Sequence, residues 1–180
     1  MPRIFILGAS GAGTSTLGAA VAAALAVPHF DVDQFYWLPT DPPFTTPRPV
    51  EERMSLLVGE LDAHESWVLE GSTLKWGDAL IPRYDVVVFL TVDPDVRMER
   101  LRQRERLRYG HRIEAGGDMA ESSAAFLAWA AAYDTAGSEQ RSRVSHEAWL
   151  AGIRVPILRL DGAKPVEVLR DAVLSAIPSP

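Results

Sequence analysis

Residues 3–16 read Arg-Ile-Phe-Ile-Leu-Gly-Ala-Ser-Gly-Ala-Gly-Thr-Ser-Thr, and three kinds of local chemistry follow one another within them. Residues 3–7 are a continuous β-prone apolar run and residues 8–13 a glycine-rich turn. From 14 to 26 the chain is alanine-rich, with Leu17, Val21 and Leu25 at helical spacing. The order is strand, loop, helix, and the glycines lie where the chain must reverse between the two.

Gly8-Ala9-Ser10-Gly11-Ala12-Gly13-Thr14-Ser15 matches the phosphate-loop pattern G-x-x-x-x-G-K-[ST] everywhere except the lysine, which is Thr14. The glycines let successive N–H groups turn inward, and the helix that follows offers its positive end to an anion. On this reading Gly8, Ser10, Gly11, Ala12, Gly13, Thr14, Ser15 and Thr16 hold the phosphates of ATP or GTP. The Ser15 hydroxyl is placed to ligate Mg²⁺, with Thr16 a second candidate. The alternative is a glycine-rich strand-to-helix turn without a ligand. Loss of one charge-assisted contact at position 14 is worth about 1.5–3 kcal/mol, so another cation is expected to serve or the site binds without efficient catalysis.

Outward from the loop the same alternation repeats. Short strands are expected at residues 29–32, 67–69, 86–92 and 153–160, and helices at 50–63, 94–109, 119–132, around Trp149 and Leu150, and 165–177. Asp93-Pro94 is a helix start, an acceptor followed by proline in the first turn, and Gly110 a stop. Five prolines between positions 39 and 49 predict a stiff loop without regular structure. Strands alternating with helices imply an α/β fold with a parallel sheet and right-handed crossovers. No repeat or second domain is visible, so residues 1–180 read as one domain.

Composition narrows the function classes. The chain is 47% hydrophobic and 23% charged, ordinary for a globular domain, and it has no cysteine to form a disulfide, a thiolate metal site or a thiol nucleophile. A reducing cytoplasm fits that. The uncharged stretch from residue 4 to 28 imitates a signal peptide, but its glycines and hydroxyls interrupt it and the apolar remainder is too short for a membrane span. A net charge of −6 opposes nucleic-acid and anionic-membrane partners. Against that balance, seven arginines stand between positions 97 and 112 with only Glu99 and Glu105 among them. Arg97, Arg100, Arg104 and Arg108 share one helix face by spacing. The four histidines show no metal-ligand spacing.

Residues 8–16, His29-Phe-Asp-Val-Asp33, Trp67-Val-Leu-Glu-Gly71, the strand from Val86 with its arginine helix, and Arg141-Ser-Arg143 together resemble the adenylate-kinase-like branch of the P-loop kinases, in particular its small topology-modulation and adenylate-kinase-related members. The resemblance covers nearly the whole chain, and Thr14 departs from it. It implies a three-layer P-loop NTPase fold, with a five-stranded parallel sheet, helices on both faces and a helical lid. An acceptor-side segment would span about 33–63 and the lid about 108–143. It also implies that Asp33 binds or deprotonates the acceptor hydroxyl, and that Glu70 holds a water on Mg²⁺ or acts as base. Arg100 and Arg104 at the lid base would contact ATP, while Arg141 and Arg143 would clamp the transferred phosphoryl group.

Phe35, Tyr36 and Trp37 are placed to line the acceptor pocket or to pack the core, Arg48 and Arg53 to bind an acidic acceptor, and Lys75 to reach phosphates. The expectation is a kinase acting on a small-molecule or nucleotide acceptor, as a monomer or homodimer. Its rivals are a nucleotide-binding regulatory protein with weak or no transfer, motivated by Thr14, and a nucleic-acid end kinase, motivated only by the arginine cluster.

Overall fold

The computed structural model describes residues 2–177. Residue 1 and residues 178–180 of the expected domain lie outside them. One five-stranded sheet organises the chain: β1 (Arg3–Gly8), β2 (His29–Asp31), β3 (Trp67–Glu70), β4 (Val86–Thr91) and β5 (Ile157–Asp161) lie in the order β2-β3-β1-β4-β5, all parallel. β1 is central, and the chain crosses from it to one side and later to the other. The crevice above its C-terminal end is therefore the switch point where open parallel sheets bind ligands.

The strands are apolar because both faces are covered. Alternate residues split between two cores. Ile4, Ile6, Val86, Val88 and Leu90 pack against α1 (Thr14–Leu25) and α7 (Val166–Ala176) through Leu17, Val21, Leu169 and Val173. Phe5, Leu7, Leu69, Val87 and Phe89 pack on the other face against α3 (Val50–Asp62), α6 (Arg143–Ala151) and a 3₁₀ turn at Asp78–Arg83 through Leu57, Leu61, Leu150 and Leu80. Full burial of each large aliphatic side chain contributes about 1.5–3 kcal/mol, enough to fix which face every strand turns to which helix.

A third, smaller core joins α4 (Pro94–Tyr109) to α5 (Ala120–Ala131) through Met98, Leu101 and Ala130, and α5 borders the crevice with Phe126 and Trp129. Asp93 caps α4 by accepting from the Asp95 amide, and Gly110 ends it, as the residue types imply.

Three local expectations change. The strand expected to reach residue 32 stops at Asp31, whose carboxylate accepts from the Asp33 amide at 2.8 Å and starts a short helix, α2 (Val32–Tyr36). The 3₁₀ turn at Asp78–Arg83 was not legible, because its turns carry Pro82 and no helical periodicity. β5 begins at Ile157 rather than 153: Pro156 has no N–H to give a ladder, although its carbonyl still accepts from Val87 at 3.0 Å. No helix among the described residues is long and apolar enough to cross a membrane.

Candidate active site

The loop after β1 takes its shape from two glycines. Gly11 (φ +83°) and Gly13 (φ +97°) occupy the left-handed region that L side chains rarely adopt, and between them the Ala12 amide turns back to the Ala9 carbonyl at 3.0 Å. Gly13 is the N-cap of α1. No side chain caps this twelve-residue helix and no acidic residue stands in its first turn, so its free N–H groups and positive end face the crevice. Above the loop opens a cleft of about 950 Å³, lined from the loop by Gly8, Ala9, Ser10, Gly11, Thr14 and Ser15. Ala12 is buried beneath it, and Thr16 is exposed and does not border it.

An acidic corner forms one side. Asp31 and Glu70 are in register at the ends of the adjacent parallel strands β2 and β3, and Asp33 stands two residues further on, exposed to the cleft. Glu70 is buried, and one of its oxygens, Oε1, has no hydrogen-bond partner. Burial and the neighbouring Asp31 charge push its carboxyl up to about 7, against the pull of the Ser15 and Thr14 hydroxyls. Burial raises Asp31 as well. A buried, half-satisfied carboxyl beside the Ser15 hydroxyl suits a hydrated divalent cation, which would satisfy the free oxygen and hold Glu70 ionised. Among the described residues no cluster of three histidine or acidic ligands forms a closed metal site, so such a cation would need water and phosphate to complete its shell.

Cations and aromatic rings form the other side. Arg53, Arg104, Arg108 and Arg141 all border the cleft, each over a ring: Arg53 on Tyr36 at 3.9 Å, Arg104 on Phe126 at 5.7 Å, Arg108 on Phe44 at 5.0 Å and Arg141 on Trp129 at 4.7 Å. Trp37 and Trp76 extend the aromatic lining. Desolvation, then the neighbouring Arg108 charge, lowers the Arg104 pKa, and burial lowers that of Arg141. Asp33 opposes both effects, so it lies within electrostatic reach of both guanidinium groups.

The sequence-predicted residues divide accordingly. Ser10, Gly11, Thr14, Ser15, Asp33, Glu70, Arg104 and Arg141 meet in the cleft, with Tyr36, Trp37, Arg53 and Lys75. Arg100 does not: it donates to the Gly162 carbonyl at 3.1 Å, near Gly13, and lines a shallower groove along α4. Arg143 points away into an ion pair with Asp134, its Nε at 2.8 Å, because the capped start of α6 turns it from its neighbour Arg141. Arg97, expected beside Arg100 and Arg104, is buried beneath the loop and binds the Ser10 carbonyl (3.3 Å), the Ala130 carbonyl (2.9 Å) and Asp134 (3.0 Å). Arg48 binds the Phe35 carbonyl and Glu52, outside the cleft. Phe35 packs on Phe30. The sequence reading missed Trp76, Phe126 and Trp129 as lining, and the buried Glu105 carboxylate that accepts from Ser123 at 2.7 Å; Phe126 and Trp129 lie on a predicted helix, where an aromatic ring reads as core, and Trp76 lies where no element is predicted.

A glycine loop between the central strand and an uncapped helix, at the switch point of a five-stranded parallel sheet, defines a P-loop NTPase fold. The chain belongs to AAA_18, a family of AAA domains whose profile matches residues 4–120. It is 47% identical over 177 residues to the uncharacterized protein YqaC of Bacillus subtilis, covering 98% of each chain. It is 30% identical over 132 residues to shikimate kinase of Bacteroides fragilis, covering 60% of this chain and 66% of that one. The solved structure of shikimate kinase from Bacteroides thetaiotaomicron shares the fold, with a TM-score of 0.55 at 21% identity over 97% of this chain and 96% of the other.

Proposed function

We propose that the chain is a small-molecule kinase of the adenylate-kinase-like branch, working in the cytoplasm and transferring the γ-phosphoryl group of Mg·ATP or Mg·GTP to an acceptor hydroxyl. One observation carries this reading: the open N-terminus of α1, the exposed Asp33 carboxylate and the guanidinium groups of Arg104 and Arg141 meet in a single cleft. Phosphoryl transfer is mostly positioning and charge neutralisation, and these are the groups it uses. The sequence likeness to shikimate kinase supports the same reading.

Residues 8–15 would cradle the phosphates through backbone N–H groups, and Ser15 would ligate Mg²⁺, with Glu70 holding one of its waters. The ion would supply neutralisation of phosphate charge. Asp33 orients the acceptor hydroxyl and takes its proton as the oxygen bonds to phosphorus. The bond from that phosphorus to its bridging oxygen breaks, and the nucleoside diphosphate leaves with the electron pair. Arg104 and Arg141 neutralise the equatorial oxygens. Tyr36, Trp37 and Trp76 give the acceptor a flat apolar wall, and Arg53, partly spent on the Arg48 carbonyl, a cationic edge.

A coupled assay of nucleoside diphosphate release, run across nucleoside monophosphates, nucleosides, shikimate and sugar acids, tests the proposal. One acceptor class is expected to support transfer that falls about 10²–10⁴-fold in Asp33→Asn with little change in nucleotide KM. Transfer unaffected by that change would remove Asp33 from the reaction. The second reading, a regulatory nucleotide-binding protein, is favoured by Thr14 at the lysine position. Tight Mg·nucleotide binding without transfer to any acceptor would support it.

A further inference from the structure

Thr14 leaves the phosphate loop without the cation its pattern carries. Four guanidinium groups border the cleft, each over an aromatic ring, and they differ in what else they touch. Arg53 donates through Nε and Nη2 to the Arg48 carbonyl, Arg104 lies over Phe126 of the lid, and Arg108 over Phe44 of the acceptor-side loop. Lys75 donates to the Glu139 carbonyl at 2.9 Å. Arg141, of the four, bonds to the loop itself: its Nη2 donates to the Ser10 hydroxyl, while its Nε is buried with no hydrogen-bond partner.

Its placement is built. Trp129 backs the guanidinium group at 4.7 Å. The next residue, Ser142, is fully buried, donates to the Gly137 carbonyl at 2.6 Å and caps α6. Ser10 is held on its other side through its carbonyl by Arg97, which is tied in turn to Ala130 and Asp134. The middle of the loop is thus gripped twice, by Arg97 from α4 and by Arg141 from the lid segment.

We propose that Arg141 stands in for the missing loop lysine, its guanidinium neutralising the phosphate oxygens that the loop cradles. The Ser10 hydroxyl occupies one of five N–H donors, leaving others for phosphate oxygens. A lysine at position 14 would belong to the loop, whereas Arg141 lies 131 residues from Ser10 at the end of the lid. Nucleotide affinity in this chain therefore depends on the lid resting on the loop. The assignment rests on the kinase reading only for its part in transfer; its binding half stands on nucleotide titration alone.

Calorimetric titration of Mg·ATP into wild type, Arg141→Ala, Thr14→Lys and the double variant tests it, with thermal unfolding as the check that each folds. Arg141→Ala is expected to weaken binding by at least about tenfold, the size of a charge-assisted contact, and Thr14→Lys to recover most of that loss in the double variant while adding much less to wild type. If Arg141→Ala does not fold, Arg141→Gln, a neutral side chain that still donates, carries the same comparison. Binding in Arg141→Ala within about threefold of wild type, or an equal gain from Thr14→Lys in both backgrounds, overturns the assignment. Wild type that binds no nucleotide overturns the kinase reading as well. Wild type that binds while Arg141→Ala binds equally overturns this assignment alone.

Discussion

The phosphate loop and the arginine side of the cleft reach the same ligand space by opposite means. The loop is local: two glycines with positive φ, one turn bond from Ala12 to Ala9 and the uncapped start of α1 make an anion site within eight consecutive residues. The arginine side is assembled. Arg141 meets Ser10 across 131 residues, and Arg97 meets Ser10 across 87 and Asp134 across 37. The first is a property of backbone conformation and survives wherever the strand and helix form. The second is a property of packing, and it fails as a unit if the segment that carries Asp134 and Arg141 shifts.

Variants of the two regions should separate these properties. The largest effect is expected from Asp134→Asn, which leaves the almost fully buried Arg97 without its anion and releases Arg143. Removing one partner of a buried pair costs about 3–5 kcal/mol, and urea unfolding should show a loss in that range, with weaker nucleotide binding beside it. A loss below about 1 kcal/mol, typical of an exposed pair, would show that the arginine side does not depend on this junction.

Gly11→Ala comes next. A Cβ there would lie 2.8 Å from the Arg97 carbonyl oxygen and 2.9 Å from its Cγ at a φ of +83°, so loop and arginine side are strained together. The expected cost is about 1–3 kcal/mol with loss of nucleotide binding.

The share of the pH dependence of stability that His146 carries tests the packed side, and comparison of wild type with a His146 variant isolates it, because Glu70 titrates in both. His146 is fully buried, its Nδ1 2.7 Å from the Tyr133 hydroxyl, and burial, aided by the Arg141 charge, lowers its pKa to about 3. The unfolded chain takes up that proton near 6.5 and the native state does not until about 3. The contribution of His146 to stability is therefore fully present above 6.5 and declines as pH falls through that window, by up to about 1.4 kcal/mol per unit. His146→Phe should flatten the slope between pH 6.5 and 4.5 relative to wild type; parallel curves would contradict the buried neutral imidazole.

The smallest effect is a control in a region that serves neither side: a Cβ on Gly59 in α3 meets nothing, and Gly59→Ala should raise stability by about 0.5–1 kcal/mol while leaving nucleotide binding unchanged.

Legibility in the sequence follows the same division. β1, the loop, α1, the apolar run of β4 and the Asp93 cap were all readable, because each depends on neighbours in sequence. The arginine helix was readable as a helix with four arginines on one face, but not what that face meets. Arg97, Arg100, Arg104 and Arg108 share the spacing, yet α4 is sixteen residues long, about 24 Å, and passes different neighbours along its length. Arg97 meets the underside of the loop and Asp134, Arg100 the Gly162 carbonyl, and only Arg104 and Arg108 the cleft. Arg141 and Arg143 part for the same reason, one before and one after the Ser142 cap. Periodicity tells which residues share a side of a helix, and only packing tells what that side meets.

The proposed chemistry turns on nucleotide phosphates binding at the loop. Calorimetric titration of ATP and GTP, with and without Mg²⁺, into wild type and Gly13→Val tests it most directly. Magnesium-enhanced binding by wild type, lost in a folded Gly13→Val protein, is the predicted result. Folded wild-type protein that binds neither nucleotide at millimolar concentration would contradict it.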